Sequence, residues 1–173
     1  MALIFSPIKA KDLKVISQQD SALDKGDDPK AFAAAYESYL KGLDESKLTF
    51  IEGETPTYFH VRTAATQEEI TKQKDSMAGL AIKAKETGEM PIYSMMLATV
   101  KVSLRDITTG EESSFIKGTH GLASDDIMTW LVANDIVADL FNALESNRGA
   151  TDQEILKKKL EHSSSSTLQI TQS

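Results

Sequence analysis

Cysteine is absent from the 173-residue chain, which removes disulfides, thiolate catalysis and cysteine-ligated zinc or iron–sulfur sites together. Histidine is scarce. His60, His120 and His162 lie far apart, and none stands in a metal-building spacing such as two histidines four residues apart on a helix. Cations are outnumbered, 19 Lys and Arg against 26 Asp and Glu, for a net charge of −7. General phosphate-backbone binding needs a clustered cationic face, so no nucleic-acid partner is expected. Nowhere do roughly 18 apolar residues run together, the length a spanning helix needs, so no membrane partner is expected either. The apolar start at Leu3–Phe5 is short and broken by Pro7, unlike a signal peptide, and the expectation is a protein of the cytoplasm.

Catalytic phrases are missing as well. The chain holds no Gly-x-Ser-x-Gly elbow, no Gly-x-x-x-x-Gly-Lys loop, no Gly-x-Gly-x-x-Gly fingerprint and no twelve-residue calcium loop. Acidic pairs recur at Asp27-Asp28, Glu68-Glu69, Glu111-Glu112 and Asp125-Asp126. Adjacent charges at helix starts and turns serve capping and solvation. His60 reads as a half-buried structural histidine on an aromatic-rich strand, and His120 as a loop residue before a helix. Lys157–Lys159 reads as a complement to a helix C-terminus. The expectation is a protein without catalytic residues, metal or cofactor.

What is present is amphipathic patterning. Asp28 is a candidate N-cap with Pro29 in the first turn, and Phe32, Ala35, Tyr36, Tyr39 and Leu40 share one face of the helix that follows, with Gly42 as its stop. Residues 47–51 and 57–62 alternate like strands around the turn chemistry of Glu52–Pro56, as a hairpin or as neighbouring strands. Thr66 with Glu69 forms a capping box for a polar helix over about 67–85, with a thin stripe of Ile70, Met77, Leu80, Ala81 and Ala84. Residues 90–107 carry two periods at once. Ile92, Met95, Met96, Thr99 and Val100 fit a helix, whereas Val100, Val102 and Leu104 alternate; a strand over 93–106 is the preferred reading, turning at Thr108-Thr109-Gly110 into a second strand at 113–117. Ser124 starts a long helix in which Ile127, Trp130, Leu131, Asn134, Val137, Ala138, Phe141 and Leu144 recur, stopped by Asn147-Arg148-Gly149. Thr151 and Glu154 cap a short helix after it.

These elements predict an α+β fold: a helix-rich single domain with a small antiparallel sheet. The divisions are a flexible N-terminal arm at 1–28, a globular domain at 29–161 and a flexible Ser-rich C-terminal tail at 162–173, whose composition cannot bury enough apolar surface to fold alone.

The run Gly53-Glu54-Thr55-Pro56-Thr57-Tyr58-Phe59-His60-Val61-Arg62 resembles the Gly-x-x-Pro-Thr-x-Phe-x-x-Arg phrase of small bacteriophage proteins of the tail-assembly-chaperone type. The order of elements after it, over about residues 45–160, is similar too. The resemblance implies a non-enzymatic role in host cytoplasm, shielding the apolar helical surface of a phage tail protein until the tail assembles. Helix-in-groove recognition then needs an adaptable apolar surface, and Met95, Met96, Trp130, Val137 and Phe141 are the candidates for it, although Trp130 and Phe141 also read as core. Methionine suits accommodating surfaces, while its commoner use is filling core gaps. Two other readings stand beside this one. A structural virion component would have its arm and tail ordered by neighbouring subunits, and a small regulatory module would bind one protein target. A homo-oligomer is compatible with each.

Overall fold

The computed structural model describes residues 10–63, 68, 71, 78, 82, 84–88, 91–118 and 121–147. Among them the chain is α+β: a four-stranded antiparallel sheet of order β1-β2-β3-β4 and helices that enclose one core. The strands are β1 (Asp12–Val15), β2 (Thr57–Arg62), β3 (Leu104–Thr109) and β4 (Glu112–Ser113). The helices are α1 (Pro29–Gly42), α2 (Ile92–Ser103), α3 (Asp125–Ala133) and α4 (Val137–Asn147). Residues 68, 71, 78, 82 and 84–87 are helical, as the polar-helix reading expects. Its capping pair Thr66 and Glu69 lies outside the described residues, as do 1–9, His120, the second capping box and the tail.

Residues 10–28 belong to the packed body, not to an arm. Leu13 and Val15 pair with Val61 and Phe59, and Ile16 is fully buried. So short a segment is a strand because β2 supplies its hydrogen-bond partners, which no local pattern in Asp12–Val15 announces. The residue that follows β1 is held by two tyrosines of α1. Ile16 N–H donates to the Tyr39 hydroxyl at 2.8 Å, and the Tyr36 hydroxyl donates to Ile16 O at 3.0 Å.

α1 forms as its sequence directs. The Asp28 carboxylate accepts from Lys30 N–H and Ala31 N–H, satisfying free donors of the first turn. Tyr36, Tyr39 and Leu40 face the core. The stop is one residue later than expected: Gly42 is the last helical residue, and Leu43 takes the left-handed conformation at φ 52°. Residues 47–51 are not a strand. Asp44 caps a 3-10 turn at Glu45–Lys47, and Phe50 makes only an isolated bridge to Leu23, so the neighbours of β2 are β1 and β3.

The two competing periods of residues 90–107 are both used, one after the other. Ile92–Ser103 is helix, and the strand begins directly at Leu104, which corrects the expectation of a strand from residue 93. The α2 C-terminus is tied down by Arg105, whose Nη1 donates to Val102 O at 2.7 Å. A bulge at Arg105 then resets the pleat: Phe59 opposes Ile107 and His60 opposes Asp106, but Val61 opposes Leu104. One extra residue lets Leu104 and Ile107, three apart, both enter the core. The core face of the sheet is therefore Leu13, Val15, Phe59, Val61, Leu104 and Ile107. Gly110, at φ 61°, makes the β3–β4 turn, and the strand expected over 113–117 reduces to Glu112–Ser113 plus a bridge from Lys117 to Ala123.

The long helix predicted from Ser124 to Leu144 is two helices bent by 98°. Ser124 caps α3 through Ile127 N–H, as expected. The break is a Schellman motif built without glycine: Asp135 is left-handed at φ 55°, its N–H donates to Val132 O, and Ile136 N–H donates to Leu131 O. Leu131 and Ile136 are both buried, the apolar contact that accompanies such a cap. The helical period runs on across the break because both helices bury a face in the same core, so periodicity alone merges them. At the far end Asn147 Nδ2 donates to Leu40 O at 3.0 Å, joining α4 to α1. Among the described residues no single helix is long and apolar enough to cross a membrane.

Candidate functional site

The residues proposed for partner binding end up in three kinds of place. Met95 and Met96 sit half-buried on α2, with Met96 against the core. Phe141 is half-buried on α4 and also packs on the core. Val137 is fully buried and so offers no surface for contact: the bend at Asp135 turns the first turn of α4 inward. Trp130, named above as a contact candidate with core as the preferred alternative, is 44% exposed, with its ring stacked on Phe59 at 6.3 Å between centroids and 26° between planes. One side of the indole is thereby fixed on the sheet while the rest meets solvent.

The exposed apolar surface of α2 was missed in two places. Ile92 is 63% and Tyr93 45% exposed, whereas Thr99, Val100, Val102 and Ser103 near the other end are buried. The helix thus dives into the core at its C-terminal half and presents Ile92, Tyr93, Met95 and Met96 at its start. A signal existed in the sequence: Pro91 followed by two large apolar residues marks a helix start whose first turn need not face inward. Lys101 Nζ meets Asp125 Oδ1 at 2.6 Å, joining the C-terminal half of α2 to the start of α3. That pair holds the Asp125 carboxyl below its ordinary range, chiefly through the hydrogen bond from the lysine.

Other polar groups are occupied by structure. Asp139, only 2% exposed, accepts from Ser17 Oγ at 2.6 Å, Gln18 N–H at 3.0 Å and Gln18 Nε2 at 2.9 Å. Burial pushes its carboxyl above the ordinary range, against the lowering effect of those hydrogen bonds. The network pins the β1–α1 connection to α4. Burial also raises both tyrosines that hold Ile16, Tyr39 to about 12, so both stay protonated.

On the solvent face of the sheet most polar groups have neighbours, but Arg62 Nε is buried without a hydrogen bond and has only the Asp12 carboxylate nearby. Lys14 Nζ lies 3.6 Å from the Tyr58 ring centroid, Arg62 pairs with Asp12 at 3.5 Å, and His60 Nε2 lies 2.9 Å from Thr108 Oγ1. His60 is thus half-buried and bonded within the sheet, as its strand position suggested. An open depression of about 340 Å³ lies beside the N-terminus of α1, lined in part by Asp24, Lys25, Asp28, Phe32 and Leu48. Its Asp24 and Asp28 carboxylates are engaged by backbone N–H groups of their own turns. Among the described residues no group of three His, Cys, Asp or Glu is placed to hold a metal.

Comparison with protein-family models, with curated proteins and with solved structures finds no match to the chain. The surface is therefore read from its own chemistry.

Proposed function

We propose that the chain is a non-enzymatic protein-binding factor of phage assembly, of the tail-assembly-chaperone kind, acting in host cytoplasm. The observation that carries the reading is the exposed start of α2, where Ile92 and Tyr93 stand in solvent next to the half-buried Met95 and Met96. Large apolar side chains exposed together on one helix end are a feature of surfaces that dock partners. Unbranched methionines beside them let such a surface adapt to more than one register of a partner helix. Support for the phage context comes from the resemblance of Gly53–Arg62. In the fold this phrase is a turn, with Gly53 at φ 84°, leading into the central strand β2.

The test is mass spectrometry of purified phage particles beside an affinity pull-down from infected cells, with the Ile92→Ser/Tyr93→Ser double variant as comparison. Absence from particles, with a helical tail protein retained by the wild type and lost by the variant, supports the reading. Presence in particles at a reproducible copy number makes the chain a structural subunit instead. A pull-down indifferent to the double variant removes the α2 surface from the argument.

A further inference from the structure

Lysine and arginine are absent from the stretch of sequence that carries Trp130. From Gly118 to Asn147 the chain has neither, while Asp125, Asp126, Asp135, Asp139 and Glu145 fall in that span. Asp139 is buried in its network with Ser17 and Gln18, and Asp125 is met by Lys101. Asp126 is exposed in the first turn of α3, four residues before Trp130. Residues four apart lie one above the other on a helix, so carboxylate and indole share one flank. Ala133, exposed and three residues beyond, continues that flank with a side chain too small to cover the ring.

Trp130 itself is unusual in being both held and open. Phe59, 1% exposed, lies against it nearly parallel, yet 44% of the tryptophan remains accessible. A fixed indole face is the best aromatic acceptor for a cation, and its orientation needs no further ordering on binding. A carboxylate one turn away adds an ion pair to the same incoming group. Guanidinium suits both, since it is planar, stacks on aromatic rings and forms directional hydrogen bonds to carboxylates.

From this we infer that Trp130 and Asp126 form an anchor for a basic side chain, arginine above all, carried on an amphipathic helix of the protein partner. The inference rests on the protein-binding reading and names the chemistry the partner brings. Aromatic and arginine anchors of this sort are where binding energy concentrates in interfaces.

The chain's single tryptophan is its own reporter. The full chain is titrated with an 18-residue helical peptide bearing leucine and arginine four residues apart on one face, with the same peptide carrying citrulline for arginine as comparison. Binding is read by tryptophan emission and by anisotropy of labelled peptide. Saturable change with the arginine peptide is expected, with the citrulline peptide roughly three- to tenfold weaker. Asp126→Asn weakens the arginine peptide by a similar factor and closes the gap to citrulline. Glu37→Gln on α1, which removes the same charge from another element, leaves it unchanged. Trp130→Phe keeps an aromatic ring on Phe59 and weakens the arginine peptide in anisotropy.

The inference is overturned if the arginine peptide gives no saturable change, if citrulline binds equally, or if Glu37→Gln weakens binding as much as Asp126→Asn. It is also overturned if the chain sediments as an oligomer that Trp130→Ser dissociates, since a second copy then covers the ring. Should the peptides fail while the pull-down remains sensitive to Ile92→Ser/Tyr93→Ser, the arginine anchor alone falls. If both fail, the protein-binding reading falls with it.

Discussion

Replacing Asp139 by asparagine and by alanine separates what its hydrogen bonds contribute from what its charge costs. The carboxylate is 2% exposed and accepts from Ser17 Oγ, Gln18 N–H and Gln18 Nε2. Alanine leaves these donors without their acceptor. Each buried unsatisfied group costs about 1–3 kcal/mol, offset in part because a buried charge is also removed. The expected net loss is about 2–4 kcal/mol, a fall of roughly 5–15 °C in Tm for a chain of this size. Asparagine keeps the shape. Its carbonyl accepts from Ser17 and Gln18 N–H, and the Gln18 amide turns over so that its oxygen accepts from the new amide. Its expected cost at pH 7 is within about 1 kcal/mol of wild type, since a hydrogen-bonded isostere without charge escapes the desolvation penalty.

The pH dependence has a definite sign. Burial, its largest cause, raises the folded carboxyl above its ordinary value of 3.8 despite the hydrogen bonds from Ser17 and Gln18. The folded state thus holds the proton more tightly than the unfolded state. The favourable contribution of Asp139 is present in full below the unfolded value and is lost as pH rises through the folded one. Wild type should lose stability relative to Asp139→Asn as pH climbs from about 4 towards 7, by about 1.4 kcal/mol per unit of upward shift. Urea melts of the two proteins in parallel cancel the other carboxylates. The reasoning is refuted if Asp139→Asn is as damaging as Asp139→Ala at pH 7, or if wild type gains on Asp139→Asn over that range.

Three further outcomes test other parts of the fold. Tyr39→Phe removes the acceptor of Ile16 N–H at 2.8 Å and should cost about 1–3 kcal/mol in urea melts. Gly118→Ala would set a Cβ 2.9 Å from Ser124 Cα and 3.2 Å from Ala123 O, both backbone atoms, and should destabilise by about 1–3 kcal/mol. Asp135→Gly relieves a left-handed non-glycine residue at the Schellman position and should raise stability by up to about 1 kcal/mol; a loss would mean that the Asp135 side chain contributes more than its backbone strain takes away.

Where a local interaction suffices, the sequence was legible. Asp28 and Ser124 cap α1 and α3 as their neighbours imply, and the alternation of β2 puts Phe59 and Val61 inward. The α+β class followed from such elements. The candidate surface was half legible: Met95 and Met96 stand near the exposed end of α2 and the candidate Trp130 is exposed although core was preferred for it, but Ile92 and Tyr93 were missed and Val137 was read as surface. In each case the missing information was which way a helix end faces, and composition does not carry it.

The sequence by itself determined the absence of cysteine chemistry, the acidic balance, the capped helix starts and the apolar faces, because these depend on residue identity and on neighbours within a turn or two. Tertiary structure decided the rest. Asp12–Val15 is a strand because β2 pairs with it and α1 tyrosines hold the residue that follows it. Residues 92–109 divide at Ser103 because pairing with β2 rewards extension only from Leu104 onward. The long apolar period of 125–147 breaks at Asp135 because both halves must bury a face against one core. Hydrogen-bond partners and burial directions supplied from distant parts of the chain settle such choices, since either local conformation alone satisfies the same pattern of side chains.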